Sequence, residues 1–237
     1  MHLKPSWLWV WLVALVMSGA LSPVSAGVLG YPAARLQPWH FRLEVAGDSF
    51  EEDLQNSGSP LARTGRALVT LAFGLTSWSE IYARVGGAEF SIDDMLFDGK
   101  FGPAFGGGVR FRLLSFPVGA IGISGQYLFF TSNDDDSAGE PVDGEWQEAE
   151  AMIGFGTKRF GHFQFYTGAA FQYSDVRLEN QVTGSEESLK ADQPLLLVAG
   201  VNLYPLLDFP SGDFVINVEV RFVGEIPRFT VGAQYAF

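Results

Sequence analysis

Cysteine is absent from the 237 residues. Its absence excludes disulfides, thiol nucleophiles, thiolate metal sites and a lipid-anchored N-terminal cysteine. Charge is also scarce: Asp, Glu, Lys and Arg make up 18% of the chain, with a net balance of −12. That acidic excess argues against a nucleic-acid partner. Histidine occurs three times, at His2, His40 and His162, which leaves little material for an acid–base site. Long apolar runs are missing beyond the first residues. The richest later stretch, Leu195 to Val201, is seven residues long, against the ~20 that a spanning helix needs. Aromatic residues are plentiful at 14%, and there are 28 glycines. That mixture suits many short strands joined by tight turns.

Residues 1–26 read as a secretory signal peptide. Lys4 supplies the basic start, Trp7 to Met17 the apolar stretch, and Val24-Ser25-Ala26 a small-residue cleavage site. Ser18, Gly19 and Pro23 interrupt the run before it reaches spanning length. With export expected and no later helix able to cross, membrane insertion has to be as a barrel. Residues 27–38, containing Pro32 and Pro38, are expected to form an irregular periplasmic lead-in, and 39–237 the barrel itself.

The rest of the chain alternates. In the last stretch Phe229, Val231, Ala233, Tyr235 and Phe237 fall on one face, while Arg228, Thr230, Gly232, Gln234 and Ala236 fall on the other. Period 2 is the signature of a strand with one oily face. The same pattern recurs over 39–46, 65–75, 78–87, 103–114, 118–130, 146–156, 162–174, 194–204 and 214–223. The fold class predicted is all-β, a transmembrane antiparallel up-and-down barrel of about 10 strands, with eight as the alternative if two segments merge. A soluble sandwich or lipocalin-like barrel would also alternate. Connections are short after the second, fourth and sixth strands, and long and polar after the first, third, fifth and seventh. That is the short-turn, long-loop rhythm of outer-membrane barrels. Trp39, Trp78 and Trp146 each open a predicted strand, where interfacial aromatic girdles would place them.

Two segments carry a family resemblance. One is Gly106-Gly107-Gly108-Val109-Arg110-Phe111-Arg112 with Gly119-Ala120-Ile121-Gly122; the other is the ending Val231-Gly232-Ala233-Gln234-Tyr235-Ala236-Phe237. Together they resemble the small outer-membrane β-barrel domain family, the group of outer membrane proteins A, X and W. Phe229, Val231, Ala233, Tyr235 and the terminal Phe237 are similar to the assembly signal of such barrels. The resemblance implies a Gram-negative outer membrane, periplasmic chaperones, folding by the barrel assembly machinery, and contact with outer-membrane lipid and lipopolysaccharide. It implies no catalytic residues.

Alternation also assigns a lumen charge cluster: Arg42, Arg66, Arg84, Arg110, Arg112, Arg221 and Arg228 against Glu44, Glu80, Glu148, Glu150 and Glu219. Glu80 and Arg112 are expected to pair. In a lumen scarcely wider than its side chains, interleaved signs form a salt-bridged plug. The alternative is a narrow, mildly anion-preferring, porin-like channel with an inward excess of about +2. The least favoured class is an outer-membrane lipid-modifying enzyme or protease: His40 and His162 both fall at predicted periplasmic strand starts, and His162-Phe163-Gln164 has no partner serine. The Asp134-Asp135-Asp136 run lacks the ligand spacing of a calcium loop. Gly106-Gly107-Gly108 has no following helix or lysine to make it a phosphate loop. No metal or other cofactor is expected.

Overall fold

A computed structural model describes residues 31–55, 60–93, 97–135, 139–191, 195–204, 213–223 and 226–237. The expected signal peptide, 1–26, lies outside them. Twelve strands follow in order: β1 (Phe41–Gln55), β2 (Leu61–Thr76), β3 (Ser79–Ile92), β4 (Phe97–Asp98), β5 (Gly102–Phe116), β6 (Gly119–Asp135), β7 (Pro141–Thr157), β8 (Phe163–Asn180), β9 (Glu186–Ala191), β10 (Leu195–Leu203), β11 (Asp213–Val223) and β12 (Ile226–Ala236). Every ladder is antiparallel.

Ten of the twelve close a barrel in the order β1-β2-β3-β5-β6-β7-β8-β10-β11-β12, and β12 returns to β1. These ten are the segments that alternation picks out, but several are longer than the pattern suggests. β1 and β2 run on through most of the predicted polar loop 47–64, and β6 and β7 absorb most of 131–145. The seam is made by the terminal strand. Arg42 faces Ala236, and Phe237 exchanges two 3.0 Å backbone hydrogen bonds with Phe41. Closure pairs each of the ten strands with a neighbour on both sides in the half that carries the apolar exterior, as a hydrocarbon surround demands.

The two ends differ. At one, here the turn end, lie the tight links 77–78, 117–118 and 158–162, together with Phe237. At the other, the loop end, the wall is extended by β9 and by the two-residue β4. β9 pairs with β8 and, through Leu54↔Ala191, with β1. β4 pairs with β3 and is tied to β6 by a bond from the Asp98 amide to Asp134 Oδ2 at 2.7 Å. The wall therefore narrows from ten strands to a smaller collar that passes over β10, β11 and β12.

The polarity of the wall inverts between the two halves. Around the turn half the outward side chains are Phe41, Leu43, Leu71, Ile81, Phe105, Ile153, Phe165 and Phe229, all exposed. Around the collar they are Glu51, Asp53, Arg63, Glu89, Arg177 and Glu179. The interior does the reverse. Charged residues fill the turn half and middle, whereas Phe50, Leu54, Phe90, Ile92, Phe97, Phe130, Trp146 and Leu189 form one apolar cluster under the collar. An apolar exterior around an ionic interior is the arrangement of a membrane-spanning barrel. A polar exterior around an apolar interior belongs to water.

Candidate functional site

The lumen is filled in three successive layers, and the first comes from outside the barrel strands. Residues 31–38, the described part of the expected lead-in, cross the lumen at the turn end. Tyr31 and Ala33 pack with Ala120, Met152, Tyr166 and Leu196 on one wall, and Leu36 packs with Ala72 and Tyr82 on the other. The Tyr31 hydroxyl donates to the Gly156 carbonyl at 2.8 Å. Burial raises this phenol above its ordinary value, against the pull of Arg35 and Arg112, so it remains a donor. The Arg35 and Leu36 amides donate to Glu80 Oε2 at 3.1 and 3.3 Å, and Arg112 Nε donates to the Ala34 carbonyl at 3.0 Å.

Glycine makes this close approach possible. A Cβ on Gly156 would lie 2.0 Å from the Tyr31 ring, one on Gly122 2.3 Å from Ala33 Cα, and one on Gly74 2.2 Å from the Gln37 carbonyl oxygen. The three glycines, on β7, β6 and β2, form a track in the wall shaped to the segment. The chain then leaves the lumen through a turn at 37–40, where Trp39 takes φ 67°. That left-handed turn throws the indole outside, 78% exposed, onto Phe73 at 5.8 Å.

The second layer is ionic. Glu80 accepts from Arg42 at 2.8 Å and from Arg110 at 2.9 Å, and all three are buried. Arg66 lies between Asp48 at 2.8 Å and Glu148 at 2.9 Å. Arg221 holds Glu219 at 2.7 Å and also pairs with Glu150. Arg228 approaches Glu52 at 3.7 Å. Arg84 donates to Gln126 at 2.9 Å. Glu44 has Arg42 Nε at 4.0 Å, and neither of its oxygens accepts a hydrogen bond from a described residue. Beside the ions runs a neutral chain. Tyr204 and Asn202 donate to Gln164, Asn217 donates to Asn202 and to Tyr166, and Tyr166 donates to Glu219 at 2.7 Å. Buried charges and dipoles are tolerated where they satisfy one another, as most of these do.

The third layer is the apolar cluster. Phe50 marks the boundary, with the Arg66 and Arg228 guanidinium carbons each 4.7 Å from its ring centre. Above it Trp146 stacks on Phe130 at 5.6 Å and meets Phe90 edge-on, also at 5.6 Å.

The predicted lumen residues Arg42, Glu44, Arg66, Glu80, Arg84, Arg110, Glu148, Glu150, Glu219, Arg221 and Arg228 are all buried inside, and Arg112 is half-buried at the turn end. Three expectations need correction. Glu80 does not pair with Arg112: antiparallel register sets it opposite Arg110, and Arg112 goes to the Ala34 carbonyl instead. Trp146 is not interfacial. It is fully buried, because β7 starts at Pro141 and residue 146 stands on the same inward face as Glu148 and Glu150. Trp39 and Trp78 do stand outside, at 78% and 54% exposure.

The third correction concerns charge. Asp48 and Glu52 also point inward, giving seven carboxylates against the seven strand arginines, so the expected excess of +2 vanishes. Both lie beyond residue 46, in the stretch where hydropathy predicts a polar loop. The signal was available: Asp48, Phe50, Glu52 and Leu54 keep the inward parity of Arg42 and Glu44.

Of the residues expected to form the assembly signal, Phe229, Val231 and Phe237 are exposed, Ala233 and Tyr235 half-exposed, and Phe237 stacks on Tyr235 at 5.8 Å. His40 Nδ1 lies 3.1 Å from the Pro38 carbonyl oxygen, and His162 Nδ1 lies 3.0 Å from that of Tyr204. Neither contact supplies a base–nucleophile pair. Gly106-Gly107-Gly108 lies inside β5, where the Tyr82 hydroxyl would come within 2.4 Å of a Cβ on Gly108. Among the described residues no three His, Asp or Glu side chains are grouped to hold a metal.

The fold defines the class: a closed ten-stranded transmembrane β-barrel, with buried charged and aromatic side chains inside it. No protein-family model matches the chain, and no curated protein sequence matches it. Solved structures are similar at low identity. The translocator domain of the autotransporter NalP from Neisseria meningitidis is 11% identical, with 98% of this chain and 95% of that one covered and a TM-score of 0.46. An outer membrane channel from Pseudomonas putida F1 is 10% identical, with 89% and 99% covered and a TM-score of 0.45. The outer membrane protease OmpT from Escherichia coli is 10% identical, with 84% and 93% covered and a TM-score of 0.43.

Proposed function

We propose that this chain is an integral outer-membrane β-barrel of a Gram-negative bacterium, with a structural or surface-interaction role, a non-conducting lumen and no catalytic activity. The observation that carries the reading is the continuous filling of the lumen. Residues 31–38, the Glu80–Arg42–Arg110 group and the Trp146–Phe130–Phe90 stack occupy successive levels of it. Interleaved strand charges of equal number, most of them paired, leave no single-sign ring of the kind that selects ions. The barrel is delivered by periplasmic chaperones and the barrel assembly machinery, and its terminal strand serves as the assembly signal. Its outer face meets membrane lipid. The acidic collar, with Glu51, Asp53, Glu89 and Glu179 outward, meets lipopolysaccharide phosphates through bridging divalent ions or meets a partner at the surface.

The test is planar-bilayer conductance of the refolded mature chain, with Arg110→Ala and Glu150→Ala alongside. The expected result is a silent bilayer from a barrel that still shows heat-modifiable migration on a gel. Reproducible steps whose ion selectivity shifts with those substitutions would replace this reading with the narrow-channel one.

A further inference from the structure

At the turn end, between the crossing segment and the wall, lies a cavity of about 500 Å³ whose lining includes Tyr31, Arg35, Arg112, Thr157, Lys158 and Arg159. Among the described residues it has no carboxylate in its lining, although Asp and Glu outnumber Lys and Arg by 27 to 15 in the chain. Elsewhere most of the described cations are matched. Among the described residues Arg42, Arg63, Arg66, Lys100, Arg110, Arg177, Arg221 and Arg228 each have a carboxylate within 4.0 Å. Arg35, Arg84, Arg112, Lys158, Arg159 and Lys190 have none among the described residues, and four of these six line this one cavity.

Two of the four are fixed. Arg112 is held by the Ala34 carbonyl, and Arg35 by the Tyr204 hydroxyl. Arg159 lies 4.3 Å from the Tyr204 ring centre, on the ring that Arg35 also approaches at 5.8 Å. Lys158 is exposed at the mouth. The Thr157 hydroxyl oxygen accepts from the Phe165 amide, so its own proton points elsewhere and is available to donate.

We propose that this cavity is a binding site for a phosphate group, carried either by a membrane-lipid headgroup or by a soluble phosphate. Convergent guanidinium groups suit tetrahedral oxygen anions because they donate in forks. Partial enclosure strengthens each charge relative to open water. Phe116 and Val118, beside the mouth and 40% and 67% exposed, mark the level at which aromatic and apolar side chains meet lipid headgroups. The proposal is independent of whether the barrel conducts.

The test uses the full mature chain in a neutral detergent and a Lys158→Gln/Arg159→Gln variant, whose substitutions fall on exposed turn residues. Native mass spectrometry with phosphatidylglycerol, and with a diacylglycerol of the same tails, reads the lipid arm. Titration with inorganic pyrophosphate reads the soluble arm. The expected result is retention of one phosphate-bearing probe but not of diacylglycerol, weakened about tenfold or more in the variant, with heat-modifiable migration unchanged. Phosphatidylglycerol alone identifies a headgroup site, and pyrophosphate competing with it identifies a soluble ligand. Equal retention by the variant and the parent chain, or no retention of either probe, overturns the proposal. Bilayer conductance leaves this outcome unmoved, so the two experiments fail separately.

Discussion

The turn half and the collar are built from the same strands and solve opposite problems. In the turn half the surround is hydrocarbon, so apolar side chains gain nothing by hiding and go outward, and the polar residues have only one another. Glu80 is held there by Arg42, Arg110 and two backbone amides. In the collar the surround is water, so the hydrophobic effect operates and draws Trp146, Phe90 and Phe130 inward. β1 makes the point within one strand: its inward residues run Arg42, Glu44 and Asp48, then Phe50, Glu52 and Leu54. Interior chemistry here is set by what lies outside the wall.

That contrast can be broken from either side. The largest effects are expected at the two interior centres. Glu80→Ala leaves Arg42 and Arg110 buried without their shared partner, a loss of about 3–5 kcal/mol. Unfolding of the refolded barrel in urea should show it as a lowered midpoint. Trp146→Ala empties the apolar cluster at a cost of about 3–5 kcal/mol. Here the readout should be local, with protease cutting the collar hairpins while the barrel still migrates as folded. A smaller change tests the exterior. Leu71→Arg puts a charge on the lipid face and should cost about 2–4 kcal/mol if that position lies near the bilayer midplane. The smallest is Glu51→Ala, which removes an exposed pair with Arg63 at 2.9 Å and should shift the midpoint by no more than about 1 kcal/mol. A large effect there would mean that the collar is not in water.

The ten barrel strands were legible because the outward residues of a membrane barrel are apolar against a polar lumen, and that contrast is strongest where the wall meets lipid. It fades in the collar. At Asp48 to Leu54 the inward residues alternate between acid and apolar while the outward ones are polar, so hydropathy alone reads as a loop although the side-chain parity continues. Trp146 is hidden for the same reason: an indole suggests an interface only where a strand starts, and β7 starts five residues earlier, at Pro141. The crossing of residues 31–38 left no periodic mark, because the segment has no regular structure. Its trace lies in the wall, at Gly74, Gly122 and Gly156, whose inward positions make sense only once the segment is in place.

The wall is not of even height. β8 has 18 residues and β7 and β6 have 17 each, whereas β10 has nine. At about 3.3 Å per residue, that difference is about 30 Å of extra strand along one side before tilt is counted. The collar is therefore a hood, hung from β6, β7 and β8 and folded across to β1 by β9. A hood has a front and a back. A molecule arriving across the membrane surface would meet a tall acidic screen from one direction and a low sill from the other, so approach to this barrel has a compass bearing as well as a depth.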